Sequence, residues 1–177
     1  MKRQNFSLRV IMVIPLLAFL IANNARSQVQ EYEAAFLYNF TRLIEWPPDY
    51  KTGNFIIGVI GRNEPIYKEL GRISSMRKVS AQTIEVKEFE TPAGIGRCHV
   101  LFIPDNKSQF IGEAVNSSGK NPMVVISHNS KGISLGSAIN LLIVNNKLNY
   151  EINPKELKES GLKINDQIIS LAYKVYN

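Results

Sequence analysis

The sequence has very few residues that form covalent or metal cross-links, with one cysteine and two histidines among 177 residues. A disulfide framework needs cysteine pairs, so no intramolecular disulfide can form and the fold must rest on packing. Cys98 is therefore either buried as an inert thiol or paired between two chains. Its neighbour His99 lies on the same predicted strand, so the two side chains point to opposite faces and do not share a metal.

Motifs that carry catalysis or nucleotide binding are also missing from the sequence. Ser127-His128 is an adjacent pair without the third group of a catalytic triad. Gly94-Ile-Gly96 lacks the third glycine of a dinucleotide fingerprint, and Gly119-Lys120 lacks the earlier glycine of a P-loop. No carboxylate cluster accompanies His128 in the sequence, so we expect no metal site there. We therefore predict a protein that is not an enzyme and that holds neither a metal nor a cofactor.

The basic charge of the chain is concentrated at its N-terminus. The whole chain carries a formal net charge of +6, from 21 basic and 15 acidic residues. Residues 1–27 hold four of the basic residues and no acidic one, which leaves 17 basic against 15 acidic residues beyond Ser27. The other lysines and arginines are scattered, and only Arg77-Lys78 is an adjacent pair. This pattern is typical of a solvated surface, so we expect no nucleic-acid partner.

The N-terminal segment has the order of a secretory signal peptide. Basic residues precede an apolar run over residues 10–22, and Ala25-Arg26-Ser27 places small residues where a signal peptidase cuts. The alternative is a retained membrane anchor, but the run is short for a span of about 20 residues and contains Pro15. We predict that residues 1–27 are cleaved, that residues 28–177 form one periplasmic domain, and that this domain does not insert into the membrane.

An amphipathic helix opens the predicted domain. Phe36, Phe40, Leu43 and Ile44 recur at a helical spacing that places them on one face. Pro47 biases the residue before it away from helical backbone angles, so we expect the helix to end at Glu45 or Trp46. The apolar face of this helix should pack against the core.

Short apolar strands alternate with more polar stretches along the rest of the domain. Residues 55–60, 99–103 and 123–126 read as buried strands, and residues 83–89 alternate like a half-exposed edge strand. Helical segments are expected between them. Buried strands that alternate with helices predict an α/β fold, with a mixed, mostly parallel sheet and helices on both faces, in a single three-layer domain.

A hairpin and a helix close the predicted domain. Asn145-Asn146 separates two apolar runs and suits a type I′ turn, so these runs should pair antiparallel. Asn153 should cap a last helix that begins at Pro154. The helical spacing of four apolar residues predicts that they form a core stripe on that helix: Leu157, Ile164, Ile168 and Leu171.

The chain resembles the YfiR-like periplasmic proteins. Phe36-Leu-Tyr-Asn-Phe40, running into Ile44-Glu-Trp-Pro47, is similar to the opening signature of that family. Later blocks arrive in the family's order: Ile57–Gly61, Cys98–Ile103, Val125–Ser127, Tyr150–Asn153, Ser160–Ile164 and Leu171-Ala172. The resemblance covers the chain from about Tyr32 to Val175.

The resemblance implies a regulator and not a catalyst. The best understood members of that family bind the periplasmic sensor domain of a membrane diguanylate cyclase and hold the cyclase inactive. Release raises cyclic di-GMP in the cytoplasm and promotes biofilm formation. Family members also self-associate as dimers. Redox control through disulfides has been associated with the family, but Cys98 has no second cysteine in this chain to pair with.

Three residues are candidates for contact with the membrane partner. Alternation along the last predicted strand turns Tyr150 and Ile152 to the core, which places Glu151 on the opposite face. Leu157, near the start of the last helix, is expected to be exposed enough to anchor a partner, although it also fits a core stripe. Trp46 is the third candidate, because exposed tryptophans are frequent interface hot spots, but packing on the first helix is the competing role.

Two other functions stay open at the level of sequence. A periplasmic small-molecule sensor subunit for another membrane receptor, such as a histidine kinase, would need a concave pocket with convergent polar groups. An exported hydrolase would need dispersed catalytic residues that assemble only in the fold, with Ser127 and His128 as the residues to test.

Overall fold

The computed structural model describes residues 28–119 and 121–176. The helices are α1 (28–43), α2 (Pro65–Met76), α3 (Ile111–Ser118), α4 (Pro154–Glu159) and α5 (Asp166–Ser170). The strands are β1 (Ile44–Glu45), β2 (Phe55–Ile60), β3 (Lys78–Val79), β4 (Gln82–Phe89), β5 (Val100–Ile103), β6 (Val124–His128), β7 (Ile139–Val144), β8 (Lys147–Ile152), β9 (Lys163–Ile164) and β10 (Lys174–Val175). Short 3-10 helices lie at Pro48–Lys51, Asp105–Phe110 and Ile133–Leu135. The proposed signal peptide, residues 1–27, lies outside the described residues.

One large sheet organises the chain. Its strand order is β10-β8-β7-β6-β5-β2-β4-β3. Five neighbouring strands of this sheet run parallel to one another: β7, β6, β5, β2 and β4. Strand β8 runs antiparallel to β7, β3 runs antiparallel to β4, and β10 pairs parallel with β8. The predicted mixed, mostly parallel sheet is confirmed. Every residue of the central strand β2 is buried, as expected for a parallel strand that is covered on both faces.

The two faces of the sheet support separate clusters of apolar side chains. On one face, α1, α2, α4 and α5 pack against alternate residues of the strands, such as Ile57 and Val59. On the other face, α3 packs against the residues that point the opposite way, such as Leu101 and Ile103. The period-two alternation of the strands therefore divides the core, and the predicted single three-layer domain is confirmed.

Helix α1 is shorter than its sequence predicts. We expected it to end at Glu45 or Trp46, but it ends at residue 43. The next two residues form β1, which pairs antiparallel with β9 from the far end of the chain. The backbone N–H of Asn165 also donates to the carbonyl of Leu43, at 2.9 Å. Pro47 would permit two more helical residues, but pairing with β9 satisfies their backbone groups instead.

The prediction of one continuous helix from Pro154 onward is wrong. Helix α4 is followed by Gly161 at φ +74°, a left-handed conformation that favours glycine and turns the chain out of the helix. Strand β9 follows, and α5 begins after Asn165, whose side chain accepts from the N–H of Gln167 at 2.8 Å. Leu171 therefore leaves the predicted core stripe and is 62% exposed.

The predicted hairpin between β7 and β8 is confirmed. Asn145 and Asn146 have φ values of 50° and 59°, as a type I′ turn requires at both central positions. The predicted cap is also present, because the side chain of Asn153 accepts from the N–H of Lys155 at 3.2 Å at the start of α4. Across residues 28–119 and 121–176, no helix is both long enough and apolar enough to cross a bilayer.

Candidate functional site

Trp46 lies in the core, beside the first residue of β2. It is 4% exposed, and its ring meets Phe55 edge to face with centroids 5.0 Å apart. Its Nε1 donates to the carbonyl of Pro122 at 3.1 Å. Trp46 thus fixes the chain that follows α1 onto the sheet, and in this conformation the indole presents almost no surface to a partner.

His99 holds the same region together from the neighbouring strand. Its Nδ1 accepts from the N–H of Ile56 at 3.0 Å, and its Nε2 donates to the carbonyl of Tyr50 at 2.9 Å. The imidazole stacks on Phe55 at 4.2 Å. Burial lowers the pKa of His99, because it disfavours the charged imidazolium. Both ring nitrogens are therefore occupied by structural bonds.

Leu157 is not exposed, which corrects its expected availability to a partner. Its side chain has no exposed surface and belongs to the cluster under α1. The reason is that α4 packs its single apolar face directly onto the sheet, so the first turn after Pro154 is covered. In this conformation Leu157 is a core residue.

Glu151 lies on the face of the sheet opposite Tyr150 and Ile152, as alternation predicts. It is half-buried near the C-terminal end of β8. One carboxylate oxygen accepts from Asn140 Nδ2 at 3.4 Å, and the other accepts from the hydroxyl of Tyr176 at 3.2 Å. Glu151 thus links β8 to the C-terminal segment, and its charge faces the side of the sheet that carries α3.

A buried polar network continues from Glu151 into β6. Asn140 Oδ1 accepts from the Ser127 hydroxyl at 2.7 Å, and Ser127 also shares a 2.7 Å bond with the Ser137 hydroxyl. All three of these side chains are at most 1% exposed. The N–H of Asn129 donates to the same Oδ1 at 3.0 Å. These bonds hold the loop after β6 against the sheet, and they place Ser127 away from the ring of His128.

His128 has a carboxylate partner from a distant part of the chain. Its Nδ1 bonds to Glu33 Oε1 of α1, and both side chains are largely buried. The bond to Glu33 raises the pKa of His128 against the opposing effect of burial, and the charge of Asp105 adds to the increase. Inspection of the sequence around His128 missed this carboxylate, because Glu33 lies 95 residues away along the chain.

The pair of His128 and Glu33 should make stability depend on pH. A histidine whose pKa is higher in the folded chain stabilises the fold fully below its unfolded pKa, about 6.5. This contribution is lost as the pH rises through the raised pKa of His128. We expect the difference in free energy of unfolding between wild type and Glu33→Gln to shrink as the pH rises from 6 to above the raised pKa, measured by urea unfolding at about five pH values.

The comparison with Glu33→Gln isolates this pair from other titrating groups. The pKa of His99 is lowered in the folded chain, so its titration reduces the stability of the fold as the pH falls. This effect is the same in wild type and in the variant. A difference between the two proteins that stays constant across the pH range would contradict the pairing.

The single cysteine is buried. Cys98 is 1% exposed, and burial raises the pKa of its thiol to about 12. Its Sγ donates to the carbonyl of Val100 at 3.1 Å. Of the two fates left open by the sequence, the inert buried thiol fits this position. In the part of the chain that the structure describes, no three His, Cys, Asp or Glu side chains come together as a metal site would require.

Two concave surfaces flank α1. A cleft of about 460 Å³ opens between the C-terminal end of α1 and the β3–β4 turn, with Arg42 and Lys78 on its rim. A groove of about 390 Å³ lies between the other end of α1 and the β7–β8 hairpin, where Tyr32 and Ile143 are about half exposed. The cleft is mostly lined by polar and charged side chains around an apolar floor, and the groove is more apolar.

The edge of the sheet at β10 presents exposed apolar side chains. We call Leu171, Tyr173 and Val175 the β10 surface; they are 62%, 57% and 38% exposed. Lys174 lies opposite Glu151 in the pairing of β10 with β8. Strand β10 ends the sheet order, so its outer backbone groups face away from β8. Exposed apolar residues on an edge strand can pair with another protein.

Comparison with known proteins identifies a family and a fold. A family model described as YfiR/HmsC-like matches residues 30–173. No curated protein matches the chain.

Two solved structures are similar in fold. The first is the ABC domain in complex with L-Trp from Streptococcus pneumonia, at 13% identity and a TM-score of 0.53, covering 70% of this chain and 55% of that one. The second is a conserved domain protein from Vibrio cholerae O1 biovar eltor, at 10% identity and a TM-score of 0.59, covering 83% and 60%. The chain thus spans less than two thirds of either protein, and identities this low show similarity of fold alone.

Proposed function

Because the chain belongs to the YfiR/HmsC-like family, we propose that it is a periplasmic regulator that binds the sensor domain of an inner-membrane diguanylate cyclase. The family match over residues 30–173 is the observation that carries this proposal. Repression is the proposed direction: binding holds the cyclase inactive, and release raises cyclic di-GMP and promotes biofilm formation. A regulator of this kind needs an interface and no active site.

The physical requirement is a differential affinity for two states of the cyclase. Moving an equilibrium from 1:99 to 99:1 takes a preference of about 5.5 kcal/mol for the inactive state. A standard interface with a few well-packed apolar anchors can supply that much. The β10 surface offers such anchors, and Glu151, on the other face of the sheet near the same edge, offers a charge that can fix the orientation of the partner.

We place the partner contact at the β10 surface and Glu151, and not at Leu157 or Trp46. Tyr173 is more than half exposed, whereas Leu157 and Trp46 are buried. A second copy of the chain could use the same edge, so dimer formation and partner binding would then compete. This competition is part of the proposal.

Capture of the partner tests the proposal. We expect the tagged protein, expressed with its own leader, to retain from detergent-solubilised membranes a protein with a periplasmic sensor domain and a cytoplasmic cyclase domain, identified by mass spectrometry. Tyr173→Asp and Glu151→Ala should each reduce this recovery by at least about tenfold, which is about 1.4 kcal/mol. Cells that carry either variant should contain more cyclic di-GMP than wild-type cells.

Met76→Asp is the matched control. Met76 is also an exposed apolar side chain, 64% exposed, but it ends α2 and precedes β3, the strand at the opposite edge of the sheet. The Met76→Asp variant should bind the partner as wild type does. Met76→Asp and Tyr173→Asp should both unfold near the wild-type temperature. Recovery of a histidine kinase instead of a cyclase would overturn the proposal in favour of the sensor-subunit function. Equal loss in Tyr173→Asp and Met76→Asp would overturn the assigned surface.

A further inference from the structure

The cleft beside the C-terminal end of α1 has the features of a ligand site. Its volume of about 460 Å³ lies within the range of small-molecule pockets, about 300–1,000 Å³. We propose that this cleft binds a small organic anion with a compact apolar body, such as a carboxylate that carries a ring. The inference goes beyond the proposed function, because it needs no membrane partner.

The charges around the cleft leave an excess of positive charge. Glu45 is the one carboxylate among the lining residues, and Lys51 pairs with it at 2.9 Å. Lys163 lies opposite Glu45 in the β1–β9 pairing and adds to the compensation. Arg42 and Lys78 also line the cleft, and no carboxylate forms an ion pair with either of them within residues 28–119 and 121–176. Two exposed cations that line the cleft thus have no ion-pair partner, which favours an anion there.

The inner wall of the cleft is apolar. Trp46 and Phe55 meet edge to face there, and Val79 of β3 lies beside them among the lining residues. Each of these three side chains is at most 7% exposed, and the indole N–H is bonded to the carbonyl of Pro122, so they lie behind a cleft surface that is about half apolar. An occupant that covers this wall needs an apolar part as well as a charge.

The rim of the cleft is held in place before any ligand arrives. Strands β3 and β4 are joined by the two residues Ser80 and Ala81, with Val79 paired to Gln82. The Nε2 of Gln82 donates to the carbonyls of Tyr50, Thr52 and Gly53 at 3.0–3.3 Å. A rim fixed in this way loses little conformational entropy on binding, so a small ligand can bind with useful affinity.

Three probes separate the charge from the apolar body. Phenylacetate carries both, acetate carries the charge alone, and 2-phenylethanol carries the ring alone. Trp46 is the one tryptophan of the chain, and it lines the cleft, so its fluorescence reports binding there. We expect phenylacetate to change this fluorescence with saturation, and to bind at least about tenfold more tightly than either other probe. Its affinity should also fall as salt is added.

Two double variants locate the binding. Arg42→Gln/Lys78→Gln removes the uncompensated cations of the cleft and should weaken phenylacetate binding by at least about tenfold. Arg62→Gln/Lys87→Gln removes the same charge elsewhere, since Arg62 pairs with Glu90 and Lys87 with Glu85, and should bind as wild type does. All four residues are partly or fully exposed, so both double variants should fold.

Several results would overturn the inference. They are the absence of any phenylacetate response, equal affinity for phenylacetate and 2-phenylethanol, and equal weakening in the two double variants. Binding in the apolar groove at the β7–β8 hairpin would give equal affinity for phenylacetate and 2-phenylethanol, because that groove would bind the ring without the charge. Failure of the titration leaves the membrane capture experiment unaffected, so the two proposals fail independently.

Discussion

Trp46→Ala is expected to destabilise the fold by about 3–5 kcal/mol, the usual cost of removing a buried aromatic side chain. The indole is 4% exposed and packs on Phe55, so its loss leaves a cavity beside the first residue of β2. It also leaves the carbonyl of Pro122 without its 3.1 Å donor. Urea unfolding followed by far-UV circular dichroism measures the change.

Two further variants define what Trp46 contributes. Trp46→Phe keeps most of the packing and removes the bond to Pro122, so it should cost about 1–3 kcal/mol, the cost of leaving a buried acceptor unpaired. Tyr32→Ala removes a half-exposed aromatic residue from α1, and should change stability by about 0.5 kcal/mol or less. If Trp46→Ala were as stable as Tyr32→Ala, Trp46 would be a surface residue and again a candidate for partner contact.

Gly132→Ala should destabilise the fold by about 2–5 kcal/mol, from steric overlap and from broken buried hydrogen bonds. A Cβ at this position would lie 2.1 Å from Ser127 Oγ and 2.3 Å from Asn140 Oδ1. The backbone φ of Gly132 is −51°, which any residue adopts, so the constraint is space and not conformation. Thermal and urea unfolding should both register the loss.

Gly112→Ala is the matched control for this prediction. Gly112 lies inside α3, and a Cβ there would meet no atom within 4 Å. Alanine should therefore stabilise the chain by about 0.5–1 kcal/mol through its higher helix propensity. If the two alanine variants changed stability in the same direction, the close approach of the 129–137 loop to Ser127 and Asn140 would be wrong.

Elements that depend on local patterns could be predicted from the sequence. Strand β2 is an unbroken apolar run, the Asn145-Asn146 pair requires positive φ at both positions, and Asn153 followed by Pro154 is a helix start. Each of these features is confirmed, because its cause lies within a few residues of the chain. The sheet class followed from the alternation of such elements along the chain.

Features that depend on distant pairing could not be predicted in this way. The early end of α1 requires β9, and the raised pKa of His128 requires Glu33. The helical spacing of Leu157 and Leu171 suggested one stripe, but the chain turns at Gly161 and separates them into a buried and an exposed residue. The prediction of partner-contact residues was the least accurate, because the exposure of a side chain depends on which distant parts of the chain cover it.

The pairing of β1 with β9 also sets the order in which the chain can fold. Ile44 pairs with Ile164, so 120 residues must be synthesised and delivered before this contact can close. Phe40 of α1 likewise contacts Tyr150 of β8, with ring centroids 4.9 Å apart. The helix that emerges first is thus among the last to complete its packing, and its apolar face stays unpartnered while the sheet assembles. We therefore expect the apolar face of α1 to be the part of the nascent chain most prone to aggregation until the sheet has assembled.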